Sequence, residues 1–475
     1  MARLLDTNVR FFGNEDTVAQ LENEFGAMIK VLDEVLVNGS TPINVVMIRT
    51  VEDPEDSNYW LSTVTLAKNH TYKASLSVVQ IEGCSEGVYN NIFRIQSITD
   101  NTVTIAFDKS KVPDKPNDVL DASGTKIKLP PLGYEKTYQA TNKAAYKTKN
   151  PLANKCYLRV DDSQHEGYDS NWLKRALVSI YSDLKNIDDY VPRIGRLKAP
   201  HYIADPLMNE EPNKIQDGTR FGVSKWIYTS NYYYNGWQED YGNNGHGKVP
   251  FEIIGDDRTF YLFVTVPSFY YRDIPFTVGY VFGEYEDVVS DNNIYNFILG
   301  SHLLNNIATN YNTGGDNVTY YSNNPGDVEG GNAFSRGFNN HGKFMLNDRA
   351  THSTEDNSLR YVYGIPSKND FVSGRDTMVS YYKDNTTLNL VKPSIFSENW
   401  DVTVREFKGF ARGYYVVGNN LQEYMPKYPS HREIFEGIKR HPEKTFVLLT
   451  CTQSWGANDN QKQNSRIAFE LNNWR

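Results

Sequence analysis

Three groups of neighbouring acidic residues are the first candidates for chemistry in this sequence. They are Asp161-Asp162, Asp256-Asp257 and the set Glu284, Glu286 and Asp287. Two carboxyl groups held about 5–9 Å apart can hydrolyse a glycosidic bond, one as the acid and the other as base or nucleophile. Each group falls at the end of a predicted strand, however, where solvated acids are common. We therefore expect turn and surface roles for them, no catalytic residues, and no enzymatic activity.

A phosphate-binding loop is suggested by the spacing of GNNGHGK at 242–248, which matches G-x-x-x-x-G-K. Val249 stands where Ser or Thr should bind magnesium, and Pro250 follows, so no helix N-terminus would face a phosphate. The sequence contains no G-x-S-x-G, H-E-x-x-H, C-x-x-C or G-x-G-x-x-G motif. We therefore expect no bound metal ion and no cofactor.

Aromatic side chains are concentrated in one polar loop, SNYYYNGWQEDYGNNGHG at 230–247. Clusters of exposed rings stack on sugars or become buried by a protein partner. The same rings can instead pack on the sheet of their own chain. All three interpretations remain open for the candidate contact residues Tyr232, Tyr233, Tyr234, Trp237 and Tyr241.

Composition describes a folded protein long enough for several domains. The chain has 475 residues, of which 39% are hydrophobic and 23% charged. The net charge of −9 argues against direct nucleic-acid binding, which needs a basic face. Three Cys residues form neither a disulfide framework nor a zinc pattern. No apolar run approaches the length of a membrane span, and we expect no secretion signal at MARLLDTNVRFF.

One amphipathic helix is predicted near the N-terminus. Asn14 can cap it, and Asn38-Gly39 can end it. Apolar residues recur in steps of three and four and predict a buried stripe, made of Val18, Leu21, Phe25, Met28, Leu32 and Val35. This stripe needs a partner surface, which is either the same chain or a helix of another subunit.

The rest of the chain is predicted to be mainly β, with multi-domain antiparallel β-sandwich or barrel modules, an N-terminal helix and long loops. Short strands rich in Val, Ile, Thr and Tyr recur at near ten-residue spacing over residues 41–110. The segment Trp172–Ile187 is ambiguous, because its apolar residues fit a helix or a strand at Ala176–Tyr181. We expect five parts: a helical arm at 1–40, a small barrel or sandwich at 41–126, a central sandwich at 127–310, an Asn/Gly-rich loop insertion at 311–375 and a β-rich region at 376–475.

Several blocks of the sequence resemble a family of tailed-bacteriophage virion proteins. These blocks are TNVRFF (7–12), LDEVLVNG (32–39), PPLGYEKTYQATNKAAYK (130–147), CYLRVDDS (156–163), GDDRTFYLFV (255–264) and the closing Trp474-Arg475. They are structural signatures within residues 1–290 and at the end of the chain, and they bring no active site with them. In that family the stretch after CYLRVDDS continues as a strand, which favours a strand for Ala176–Tyr181.

The resemblance implies a structural component of a phage virion, most simply a tail or baseplate scaffold or adaptor that binds other virion proteins. It implies a homo-oligomer that follows the symmetry of the particle and that is located in the virion after synthesis in the host cytoplasm. The alternative is a receptor- or carbohydrate-binding tail module that uses the aromatic loop at 232–241. A glycan-cleaving enzyme that uses paired acids is a third hypothesis.

Overall fold

The computed structural model describes most of the N-terminal third of the chain and the strands of the remainder. The described residues are 3–153, 156–163, 175–181, 184–188, 223–228, 248–266, 276–287, 296–301, 332–335, 342–344, 390–391, 394–398, 405–417, 430–436, 443–454, 462–472 and 474.

Strands dominate this part of the chain. In chain order they are β1 (Arg10–Gly13), β2 (Ile43–Glu52), β3 (Tyr59–Leu66), β4 (Val78–Glu82), β5 (Ile92–Ile98), β6 (Thr102–Asp108), β7 (Lys126–Lys128), β8 (Tyr134–Ala140), β9 (Lys143–Thr148), β10 (Tyr157–Asp161), β11 (Arg175–Tyr181), β12 (Val223–Ile227), β13 (Phe251–Gly255), β14 (Thr259–Val266), β15 (Phe276–Glu284), β16 (Glu286–Asp287), β17 (Asn296–Ser301), β18 (Asn332–Ser335), β19 (Gly342–Phe344), β20 (Leu390–Val391), β21 (Ser394–Glu398), β22 (Arg405–Phe410), β23 (Tyr414–Val417), β24 (Ile434–Phe435), β25 (Phe446–Ser454) and β26 (Lys462–Glu470).

The first sheet closes into a six-stranded barrel with the order β2-β3-β6-β5-β4-β7, and β7 pairs back onto β2. Its neighbouring strands are antiparallel. Side chains alternate along β2, so that Ile43 and Val45 are buried whereas Asn44 and Val46 are exposed. This period of two is what a sheet with one face on a core requires. The predicted mainly β fold with antiparallel modules is confirmed.

Two further sheets lie in the middle of the chain. A five-stranded sheet has the order β12-β11-β10-β9-β8, and a ten-stranded sheet has the order β1-β13-β14-β15-β17-β18-β19-β21-β22-β16. The N-terminal strand β1 therefore pairs with β13, more than 200 residues away along the chain. A single apolar core joins side chains of the barrel and of both central sheets.

The C-terminal sheet has five strands, in the order β20-β23-β26-β25-β24. It packs against the ten-stranded sheet through a second apolar cluster, in which the Tyr261 ring stacks on Tyr414 at 5.4 Å and meets Phe469 at 5.0 Å. Trp474 belongs to the same cluster and is 3% exposed. The end of the chain is thus part of a core, as its beginning is part of a sheet.

The predicted N-terminal helix is wrong over its first half. Residues 14–16 form one 3₁₀ turn, the α-helix α1 covers only Ala27–Leu32, and a π-helical turn continues it over Asp33–Asn38. We call residues 27–38 the helical segment. Leu21 instead forms a β-bridge with Val249, and Gly26 has φ of +87°. An extended pairing and a left-handed residue both interrupt an α-helix, whatever the spacing of the apolar side chains.

The sheets divide the chain differently from the predicted parts. The predicted arm at 1–40 contributes β1 to the ten-stranded sheet, and the predicted sandwich at 127–310 supplies strands to two separate sheets. The predicted insertion at 311–375 contains the strands β18 and β19, and its other residues lie outside the described ones. At 176–181 a strand is present, as the resemblance favoured, because β11 pairs with β10 on one side and β12 on the other.

Candidate functional site

Four of the seven acidic residues are buried, although the sequence predicted turn and surface roles for all of them. Asp161, Asp162, Asp256 and Glu284 are all buried, with exposed fractions of 4%, 0%, 3% and 6%. Their location at strand ends is as expected, since β10 ends at Asp161 and β15 ends at Glu284. For these four residues the prediction of surface roles is wrong, because other segments of the chain, rather than water, cover them.

Two of the buried acids meet around one arginine. Arg412 lies between β22 and β23, and its Nη2 is 2.9 Å from Asp256 Oδ2 while its Nη1 is 3.9 Å from Glu284 Oε2. Arg258 contributes a second cation, with its Nη1 3.2 Å from Glu284 Oε2. Arg412 Nη2 also donates to the main-chain oxygen of Trp474 at 3.1 Å. We call these five residues the Arg412 cluster; it ties the ten-stranded sheet to the C-terminal sheet and to the end of the chain.

The carboxylate of Asp256 is fully committed within this cluster. Its Oδ1 accepts the backbone N–H groups of Arg258 and Thr259, both at 2.8 Å. Burial raises the pKa of Asp256 above its ordinary value, and Arg412 and the two N–H donors act against that shift. A carboxylate so enclosed stabilises the packing of the sheets and is shielded from a substrate.

Asp161 is held by two cations. Its Oδ2 lies 3.1 Å from Arg159 Nη2 and 3.7 Å from Lys143 Nζ. Arg159 is itself buried and donates its Nε to the main-chain oxygen of Ile187 at 2.7 Å. Asp161 thereby helps to fix residues 184–188 on the five-stranded sheet.

Asp162 connects the helical segment to the five-stranded sheet through hydrogen bonds. It accepts the hydroxyl of Tyr228 at 2.6 Å and the backbone N–H of Met28 at 3.0 Å. Its own main-chain oxygen accepts the N–H of Gly26 at 3.2 Å. Burial is the main cause that raises the pKa of Asp162 to about 7.

The predicted apolar stripe is only partly buried. Leu21, Met28, Leu32 and Val35 have 0% exposure and belong to the large core shared with the barrel and the central sheets. Phe25 is half-buried, and Val18 is 73% exposed. The four buried members therefore dock on the chain itself, whereas Val18, which lies outside the helical segment, faces solvent.

An open groove of about 680 Å³ lies beside the helical segment. It is bounded by the loop before α1 and by the chain that leaves the π-helical turn. Its lining residues are Val18, Ala19, Gln20, Glu22, Glu24, Lys30, Asp33, Glu34, Asn38, Gly39, Ser40, Thr41, Pro42 and Lys128. Four acids and two lysines give this surface an acidic balance.

Contacts within the chain fix the walls of the groove. The backbone N–H of Val18 donates to both carboxylate oxygens of Glu34 at 3.0 Å, and that of Ala19 donates to Glu34 Oε2 at 2.9 Å. Asp33 is bound by Lys136 at 2.5 Å and by the Tyr146 hydroxyl at 2.8 Å. Most of the charged groups therefore have structural partners, and the shape of the groove is set before any ligand arrives.

The predicted aromatic contact residues Tyr232, Tyr233, Tyr234, Trp237 and Tyr241 lie outside the described residues. The described residues that precede them, at the end of β12, are buried in the large core. Trp226 stacks on Tyr280 with ring centroids 5.2 Å apart, and Tyr228 is 0% exposed. The phosphate-loop spacing at 242–248 lies outside the described residues too, apart from Lys248.

In the part of the chain that the structure describes, every helix is too short or too polar to traverse a bilayer. Among the same residues, no group of three or more His, Cys, Asp or Glu side chains is arranged to hold a metal ion. The fold thus defines a mainly β protein built from several antiparallel sheets, one of them a closed barrel. No known family profile, curated protein or solved structure matches the chain.

Two features escaped the sequence reasoning. The groove depends on Gln20, Glu22 and Glu34, which carry no motif and come together only because residues 17–25 turn back on the helical segment. The Arg412 cluster depends on a pair separated by 156 positions. The signal nearest to it was the closing Trp474-Arg475, which the resemblance had singled out.

Proposed function

We propose that this chain is a structural component of a bacteriophage virion, and that it acts as a tail or baseplate scaffold or adaptor that binds neighbouring subunits. It repeats as a homo-oligomer in the particle, according to the local symmetry. The blocks of resemblance within residues 1–290 support this proposal, as does a mainly β architecture of several connected sheets.

One observation carries the proposal beyond resemblance: the best candidate catalytic acids serve the architecture. Asp256 and Glu284 join two sheets through Arg412, and Asp162 joins the helical segment to a third sheet. Glycoside hydrolysis needs two carboxyl groups that reach the substrate. Asp162, Asp256 and Glu284 are at most 6% exposed and are bonded within the chain. They therefore stabilise contacts between sheets, as a structural protein that is bound by neighbouring subunits requires.

The test is genetic and structural. A nonsense codon early in the gene of the phage that encodes this chain should yield particles without a complete tail, seen by negative-stain electron microscopy. Protein supplied from a plasmid should restore them, and mass spectrometry of purified wild-type particles should find the chain at a copy number set by particle symmetry. Normal, infectious particles that lack the chain would overturn the proposal.

Experiments on the same particles distinguish the adaptor function from the receptor-binding alternative. In one experiment a tag on the chain is labelled with gold, and in the other Trp237→Ala particles are tested for assembly and adsorption. A label at the distal tip of the tail, together with a variant that assembles but does not adsorb, would favour glycan or receptor binding by the loop at 232–241. A label at a junction between subunits, with normal adsorption of the variant, supports the adaptor.

A further inference from the structure

We propose that the groove beside the helical segment binds a lysine or arginine side chain on a segment of a different virion protein. This inference rests on the proposed function and deepens it, because it assigns one docking surface and the chemistry of the partner that the surface takes.

The first support is a buried acceptor without a partner. Gln20 lines the groove and is 7% exposed. Its Nε2 donates to the main-chain oxygens of Asn14 at 2.7 Å and Thr17 at 2.8 Å. Its Oε1 has no hydrogen-bond partner among the described residues. A buried polar atom left unpaired is costly, so a donor that reaches Oε1 would be bound favourably.

The second support is an acidic side chain in the groove that has no ion-pair partner in the described part of the chain. Glu22 lines it and forms no ion pair within 4 Å with any described residue. Both lysines are already engaged, since Lys30 pairs with Glu24 and Lys128 Nζ donates to the main-chain oxygen of Asn38 at 3.4 Å. Glu22 therefore adds a negative charge, without an ion pair among these residues, to the acceptor of Gln20, and the two together favour a cationic donor.

The third support concerns the shape of the ligand. Val18, at the rim, is 73% exposed and presents apolar surface beside the acidic lining. Lysine and arginine carry an apolar stem behind the charged head, so one side chain can cover Val18 and still reach an acceptor. A bare inorganic cation would satisfy the acceptors but would leave this apolar surface in water.

The fourth support identifies a different protein rather than a second copy. The chain carries a net charge of −9, and the lining of the groove is acidic as well. Opposite potentials speed association and suppress wrong partners, whereas two acidic surfaces repel. The walls of the groove are also ordered in advance, because the Glu34 side chain binds the Ala19 N–H and the Gly39 N–H donates to the Glu34 main-chain oxygen at 2.7 Å. Binding of the partner therefore does not have to pay for ordering these walls.

The partner is identified by photo-crosslinking in assembled particles. Thr41 is exposed and lines the groove, so p-benzoylphenylalanine replaces it, and irradiated particles are digested for mass spectrometry. We expect a cross-link to one segment of another virion protein, with a Lys or Arg within a few residues of the cross-linked site. A cross-link to this chain, to a segment without a basic residue, or to no protein at all would overturn the inference.

A charge reversal tests the chemistry. Glu22→Lys should lower the yield of infectious particles about tenfold or more, because like charges brought together at an interface lower the affinity by well over tenfold. The matched control is Glu82→Lys, at an exposed position of β4 outside the groove, which changes the charge equally and should leave the yield unchanged. Purified Glu22→Lys should unfold in urea as the parent chain does, which shows that the loss is not one of folding.

The outcomes distinguish this inference from the proposed function. If Glu22→Lys assembles like Glu82→Lys while the nonsense mutant makes no complete tails, the groove is not the docking site and the scaffold role stands. If particles without the chain are normal, the proposed function itself fails.

Discussion

Replacing Arg412 with Met is expected to destabilise the contact between the ten-stranded sheet and the C-terminal sheet. The side chain is 5% exposed, and its loss leaves Asp256 without its ion-pair partner at 2.9 Å. It also removes a donor from the main-chain oxygen of Trp474 at 3.1 Å. Breaking a buried pair by removing one partner costs about 3–5 kcal/mol. We expect a value near 3 kcal/mol, because Glu284 keeps Arg258 and Asp256 keeps two N–H donors.

The measurement is urea unfolding followed by tryptophan fluorescence, to which Trp474 contributes from within the cluster. Arg412→Met leaves the charge of Asp256 unpaired, and Asp256→Asn removes that charge. The double variant should therefore lose less free energy of unfolding than the sum of the losses in the two single variants. The coupling between the two sites should be about 1–3 kcal/mol. The control is Arg49→Met, at an exposed position of β2, which should change the free energy of unfolding by less than about 0.5 kcal/mol.

Two results would refute this reasoning. One is a free energy of unfolding for Arg412→Met that matches the control. The other is strict additivity with Asp256→Asn, which would mean that the two side chains do not stabilise each other. Either result would remove the argument that the buried acids serve the architecture of the protein.

Three further changes test other parts of the structure. The pKa of Asp162, raised to about 7 from 3.8, means that the folded state holds an extra proton between these values, so stability is lost as pH rises through that window. The free energy of unfolding of Asp162→Asn, measured in urea titrations relative to the parent chain, should therefore rise from pH 4 to pH 8 by up to roughly 4 kcal/mol. If the difference between the two proteins is the same at both pH values, the raised pKa of Asp162 is contradicted. Gly413→Ala should cost about 1–3 kcal/mol, because φ is +61° and the new Cβ would meet the C-terminal indole ring; Gly87→Ala, with nothing within 4 Å, should be neutral or slightly stabilising in the same melts. Leu32→Ala should cost about 2–5 kcal/mol because the side chain is 0% exposed, whereas Val18→Ala should change the midpoint of denaturation very little, and equal effects would show that the stripe is uniformly buried or uniformly exposed.

The sequence by itself was sufficient to predict strands over residues 41–110, but it did not predict β7 (Lys126–Lys128), which closes the barrel. The turn residues between short Val- and Ile-rich runs predicted the fold class and a series of short strands in this region, which agree with the alternation along β2. Such patterns are readable because a period of two is a local property of a chain that buries one face. The end of the helical segment at Asn38 was predicted for a similar reason, because Gly39 follows it.

The tertiary structure decided what local spacing could not. The apolar steps from Val18 to Val35 fit one helix, but the bridge between Leu21 and Val249 and the turn at Gly26 prevent it. The acids at strand ends are buried because Arg412 and Tyr228 reach them from distant parts of the chain. Whether a carboxylate faces water or a cation depends on which surfaces the sheets bring together. The residues beside it in the sequence do not predict this, because the partner lies far away along the chain.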